Sequence, residues 1–227
     1  MSEVCGGAAV TTALYSAGVV VQATDKEKLG GRHAGRNYYW GGCCLNPTAI
    51  AIAYARAEGL ATRFAIVDTD THHADVTREF FMSDDAVLHV RYCWGWGRTE
   101  TKTKVCLPHA DSDEEFIRRF GEEVPWRLEE FKPELIYRIC GLDTHRDSYG
   151  TRKLTERCYR ACEDKGAAED VCEGRLIVKI GCNRAAGDVR VRDAENRGPP
   201  RGAGGGFDGS SVRMVFGCEA MRGGSEA

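Results

Sequence analysis

The feature that most constrains this chain is the apolar run Phe64-Ala-Ile-Val67 and its abrupt change into Asp68-Thr-Asp-Thr-His-His-Ala-Asp75. A short, bounded apolar run of this kind reads as a buried strand. Period-2 geometry then places Asp68, Asp70 and His72 on one face as the strand ends, with Thr69 and Thr71 on the other. A carboxylate and an imidazole two residues apart at the C-terminal edge of a parallel sheet can grip one metal ion, and open α/β sheets bind ligands at that edge. An isolated D-x-D is ordinarily a solvated strand end. Here a third carboxylate and a second histidine fall within the same short stretch, which favours a site.

The flanking sequence supplies the rest of an α/β pattern. Asn46-Pro47 offers an N-cap and a first-turn proline for a helix over 48–59, followed by a strand over 62–67. A short helix is expected over 76–82 and a strand over 86–92, whose His89 reads as a satisfied core histidine. Ser112 to Glu115 has capping-box form and opens an amphipathic helix over 115–131. A strand over 135–140, a helix over 154–165 and a strand over 175–180 follow, and the apolar segment 7–23 reads as a buried helix. Strands alternating with helices are the signature of a parallel sheet.

Four stretches carry a family resemblance: GGRHAGRNYYWGGCCLN (30–46), IVDTDTHHADVTREFF (66–81), FKPELIYRICGLDTHRD (131–147) and LIVKIGCN (176–183). In this order they resemble the histone deacetylase and acetylpolyamine amidohydrolase superfamily, from about Gly30 to Gly181. D-x-D-x-H-H followed later by G-x-D-x-H after an apolar strand is the specific part. The resemblance implies a three-layer α-β-α fold of the arginase-deacetylase type with a mainly parallel sheet, incomplete at the N-terminus. It implies one zinc ion per chain on Asp70, His72 and Asp143, three protein ligands with a fourth position open. It casts His33 as general base, Asp75 as the group orienting it, and Asp68 as the partner of a preceding histidine. That histidine is Arg32 here, and a guanidinium cannot accept a proton, so an Arg32–Asp68 ion pair is expected instead. Where many relatives carry an oxyanion-stabilising tyrosine this chain has Cys182, a poor hydrogen-bond donor. Gly141 and Trp94 are read as substrate-binding, although the Trp94 loop equally suits packing. Arginases need a further acid for a second metal ion where this chain has Ala74, which argues for a single ion. His73, His145 and Asp147 are read as structural or ordering groups.

The reading that follows is a zinc-dependent amidohydrolase acting on acyl-lysine side chains or small acylated amines. Its alternative is an impaired deacetylase-like protein that binds metal or ligand without turnover, favoured by Arg32 and Cys182. Iron or manganese stays open at a mixed His/carboxylate site. The net charge of -3 gives no electrostatic reason to expect nucleic-acid binding. No run of eighteen apolar residues suggests a membrane span, and with no basic n-region at the start a cytoplasmic protein is expected. The 11 cysteines include no C-x-x-C, and Cys93, Cys140, Cys172 and Cys182 lie in or beside apolar segments. They read as small buried hydrophobes in a reducing compartment. Residues 1–183 are expected to form the domain and the Gly/Arg-rich 184–227 a disordered tail, with oligomeric state left open.

Overall fold

A computed structural model describes residues 31–38, 43, 45–72, 75–93, 100–148, 150, 152–165, 171–172, 175–181 and 213–216. Its centre is a parallel sheet of β1 (Phe64–Asp68), β2 (Val87–Cys93), β3 (Lys104–Pro108), β4 (Leu135–Gly141), β5 (Leu176–Gly181) and β6 (Arg213–Phe216). The strand order is β3-β2-β1-β4-β5-β6, so the chain begins in the middle and winds outward in both directions. Every pairing between these strands is parallel.

Among the described residues four helices flank the sheet: α1 (Pro47–Ala57), α2 (Asp75–Phe80), α3 (Asp113–Phe131) and α4 (Glu156–Lys165). Asn46 caps α1, its Oδ1 accepting from the Ala49 N–H at 3.0 Å, with Pro47 at a position whose N–H would have no helical partner. Gly59, at φ +67°, then turns the chain toward β1 at a conformation a side chain would strain. Ser112 Oγ accepts from the Glu115 N–H and starts α3. Phe116, Phe120, Val124 and Leu128 recur at one-turn spacing along that helix and are all buried.

Alternation along β1 explains the three layers. Phe64 and Ile66 join Ala51, Ile52 and Ala55 of α1 in one core. Ala65 and Val67 face the opposite core, with Phe116, Phe120, Val124 and Leu128 of α3 and Cys158 and Cys162 of α4. All five residues of β1 are buried, as expected for a strand covered on both faces. Burying each large apolar side chain contributes about 1.5–3 kcal/mol, so the two cores fix the register of β1. The three-layer parallel α/β expectation holds.

Four differences from the sequence expectations have physical causes. First, β3 is absent from the expected elements, because Lys-Val-Cys-Leu-Pro is short, opens on a charge and ends on proline. Its Lys104 is buried, yet the ammonium donates to Asp84 O at 3.0 Å, Val87 O at 2.7 Å and Thr103 Oγ1 at 2.8 Å. Second, Cys93 is not merely a small hydrophobe. It forms a disulfide with Cys106 across β2 and β3, the Cα atoms 5.4 Å apart. Cys140 and Cys172 are buried as expected, and Cys182 lies outside the described residues. Third, His89 is fully buried but not satisfied, since neither ring nitrogen has a hydrogen-bond partner among the described residues. Burial and the nearby Arg78, Arg91 and Lys104 charges hold it well below the ordinary imidazole range, in its neutral form. Fourth, α4 begins at Glu156 because Leu154 is engaged in a bridge with His145 and Asp113 Oδ1 accepts from the Thr155 N–H at 2.8 Å. Within the range read as a tail, Arg213–Phe216 forms β6 against β5. The expected helix over 7–23 lies outside the described residues.

Candidate metal centre

The site forms where β1 and β4 end side by side. Asp68 is paired in register with Ile139, and the Thr69 N–H donates to Ile139 O at 2.9 Å, carrying the pairing one residue further. Asp70 is thereby laid against Gly141. A Cβ at Gly141 would stand 2.5 Å from Asp70 Cα, Cγ and Oδ2, so the absence of a side chain there lets the carboxylate in. This is the site role of Gly141 that the geometry shows. After β4 a 3-10 turn over Leu142–Thr144 presents Asp143, held as Thr144 Oγ1 donates to Gly141 O at 2.9 Å.

Three donors converge there. His72 Nδ1 lies 2.5 Å from Asp143 Oδ2 and 3.3 Å from Asp70 Oδ1. One ligand atom from each of Asp70, His72 and Asp143 falls within 4.8 Å of the others. Asp70 and Asp143 are buried while His72 is exposed, which leaves one side of the cluster open to solvent. Asp143 Oδ1 also accepts from the Thr71 N–H at 3.3 Å, and Asp70 Oδ1 from the His72 N–H at 2.8 Å.

Two buried carboxylates this close repel one another. Burial, with Asp70 beside it, pushes Asp143 up to about 6. Burial works in the same direction on Asp70, but Arg32 and the hydrogen bonds from His72 outweigh it and hold that carboxyl well below the usual range. Asp68 is raised by burial, against the pull of Arg32. A small divalent cation fits this donor set, since it would relieve the repulsion and match two hard oxygens and one imidazole nitrogen.

Arg32 and His33 enter from the preceding loop. The Arg32 guanidinium is buried, 3.2 Å from Asp68 Oδ1 through Nη1, and its Nη2 donates to Asp70 Oδ1 and, at 2.6 Å, to His72 O. The ion pair expected with Asp68 is therefore present and extends to Asp70. The Arg32 carbonyl accepts from Thr77 Oγ1 at 3.2 Å and Asn46 Nδ2 at 3.4 Å, so α1 and α2 hold the residue in place. His33 stands edge-on to His72 with ring centroids 6.2 Å apart. Burial and the Arg32 charge lower it to about 4, which leaves a neutral ring able to accept a proton.

Asp75 meets the buried Arg91 at 2.6 Å, and its charge is also felt at His33. Arg91 was overlooked in the sequence, although its place on β2 directly beside Asp68 in register is a readable signal once the strands are paired. Gly150 was overlooked too. A Cβ there would stand 1.9 Å from Asp143 O and 3.0 Å from Thr71 Cγ2, so this glycine closes the loop over the site. Trp94, His73, Ala74 and Cys182 lie outside the described residues.

The comparisons with known proteins point the same way. The model of the histone deacetylase domain matches residues 7–181. A protein of Archaeoglobus fulgidus described as a probable deacetylase is 33% identical over 168 residues, covering 66% of this chain and 46% of that protein. Histone deacetylase 8 of Arabidopsis thaliana is 27% identical over 170 residues, covering 65% of this chain and 45% of its own. The crystal structure of the HDA15 HD domain superposes with a TM-score of 0.60 at 23% identity, over 75% of this chain and 57% of that one. The chain belongs to the histone deacetylase family. It spans under half the length of the two curated relatives named.

Proposed function

We propose that the protein is a metal-dependent amidohydrolase of the deacetylase type, acting on acylated lysine side chains or small acylated amines. The observation that carries this is the convergence of Asp70, His72 and Asp143 within 4.8 Å at the ends of β1 and β4, with His33 beside them. Zinc on these three residues would lower the pKa of bound water and polarise the substrate carbonyl. His33, neutral in its surroundings, takes the proton from the attacking water, and Asp75 orients it. Asp68 acts through Arg32, whose fixed charge neither accepts nor delivers a proton. By the family resemblance, Gly141 and Trp94 are assigned to substrate binding and Cys182 to the position of the oxyanion-stabilising tyrosine.

A second reading, metal or ligand binding without turnover, is favoured by Arg32, because one half of the proton-handling pair is a permanent cation. Metal content and hydrolysis of an acetyl-lysine peptide, measured together, separate the two. About one zinc per chain, lost in Asp143→Ala, with acetate release that disappears in His33→Ala, is expected. Metal without acetate release supports the second reading, and no metal after zinc is supplied overturns the first reading and the metal-binding form of the second.

A further inference from the structure

We infer that Arg32 is a built-in counter-cation that competes with the metal ion for the carboxylates, so that this site is preformed without metal and binds it weakly. The inference rests on the proposed ligand set Asp70, His72 and Asp143. The guanidinium occupies the inner side of that set, reaching Asp68 Oδ1 at 3.2 Å, Asp70 Oδ1 and His72 O. Asp70 Oδ1 thus accepts from a full positive charge as well as from the His72 N–H. A second cation arriving at Asp70 meets a carboxylate already neutralised and is repelled by the charge behind it.

The arrangement is built, not incidental. Arg32 is 5% exposed, and its carbonyl is held by Asn46 and Thr77 from two helices. Next to it, Gly31 has its N–H on Leu45 O at 2.7 Å, and a Cβ at Gly31 would run into Cys43 Sγ. The backbone that carries Arg32 is therefore fixed, and the guanidinium is held in place by its contacts with Asp68, Asp70 and the His72 carbonyl. Buried carboxylates without a counter-charge destabilise a fold, and in many metal proteins the ion supplies that charge. Here the chain supplies it from Arg32, so the acidic cluster holds its shape before any metal arrives. The same contact weakens the metal's attraction, and by linkage the two effects are one coupling seen from two sides.

The test replaces Arg32 and reads zinc affinity and metal-free stability together. Zinc dissociation constants are measured by competition against a chromogenic chelator, with cobalt substitution giving an absorption spectrum that reports coordination without turnover. Arg32→His and Arg32→Gln remove the fixed charge at pH 8 and are expected to bind zinc about tenfold or more tightly than the parent, the scale of neighbouring-group effects on metal affinity. Both are expected to melt at lower temperature than the parent in chelator. Arg32→Lys keeps the charge and is expected within about threefold of the parent. Zinc affinity unchanged in a folded Arg32→His or Arg32→Gln overturns the inference, and so does an Arg32→Lys that tightens as much as they do. Asp143→Ala, added to each background, tests the ligand set separately: if it leaves zinc affinity untouched, the site reading has failed and not only the role of Arg32.

Discussion

His72 Nδ1 stands 2.5 Å from Asp143 Oδ2, although the two residues follow different strands, β1 and β4, and meet only because those strands are neighbours. The contact depends on the backbone beneath it. Gly141 leaves no room for a Cβ beside Asp70. Gly141→Ala is expected to push β1 and β4 apart at their ends, lowering stability by about 1–3 kcal/mol and abolishing metal binding. The backbone at Gly141, at φ -83°, suits any residue, so the effect is steric. Urea unfolding together with metal stoichiometry measures it. An alanine variant that retains both stability and metal would show that the sheet ends yield easily.

The pH dependence of stability carries the mark of His33. Its pKa in the fold is about 4, against an ordinary value of 6.5, through burial and Arg32. The unfolded chain therefore takes up this proton first as pH falls. The contribution is complete above about 6.5 and is lost as the pH drops toward about 4. Metal-free parent is expected to lose stability more steeply across that window than His33→Gln. Urea midpoints at intervals between pH 7 and 4 measure the difference, and parallel profiles would refute it.

Arg152 is 1% exposed, and none of its three guanidinium nitrogens has a hydrogen-bond partner among the described residues. It lies over the rings of Tyr92 at 4.8 Å and Phe116 at 5.9 Å, and burial lowers its pKa. Cation–π contact offsets only part of the desolvation of a buried guanidinium. Arg152→Leu, which fills similar space without charge, is expected to stabilise the protein by about 1–4 kcal/mol. A fall in the urea midpoint would mean that the ring contacts outweigh the desolvation.

The Cys93–Cys106 bridge closes a loop of 13 residues between β2 and β3. Chain-entropy reasoning puts its contribution at about 2–3 kcal/mol. Dithiothreitol is expected to lower the unfolding midpoint of the parent and to leave the double variant Cys93→Ser, Cys106→Ser unmoved. Equal midpoints with and without reductant in the parent would remove the bridge from the account.

The strands of this arrangement could be read from residues, for local reasons, and most of the site through the family resemblance. Buried strands such as Ile66-Val67 and Leu135-Ile136 announce themselves by composition, and Asp70 and His72 follow the first at the end where ligands bind, while Asp143 joined them through the family resemblance. Arg32 was legible as an ion-pair partner of Asp68 only through the family resemblance, which sets the residue at position 32 against Asp68. Its reach to Asp70 was not, since that depends on the curve of the loop. Arg91, Arg152 and the disulfide were hidden because their partners lie on other strands or helices, and no spacing within one segment encodes such contacts. His89 misled because a histidine in an apolar strand looks the same whether or not its ring nitrogens find partners.

The order β3-β2-β1-β4-β5-β6 also sets a timetable for synthesis. β1 lies between β2, made soon after it, and β4, which comes much later: Thr71 and Asp143, joined by a hydrogen bond, are 72 residues apart in the chain. At about 5–20 residues per second, Asp70 and His72 wait several seconds on the ribosome before Asp143 exists to meet them. During that interval one edge of β1 has no strand to pair with, and two acids have no opposing wall. Arg32 has already been translated by then, so a nascent chain can quiet its acidic residues from within while half of the sheet is still to come.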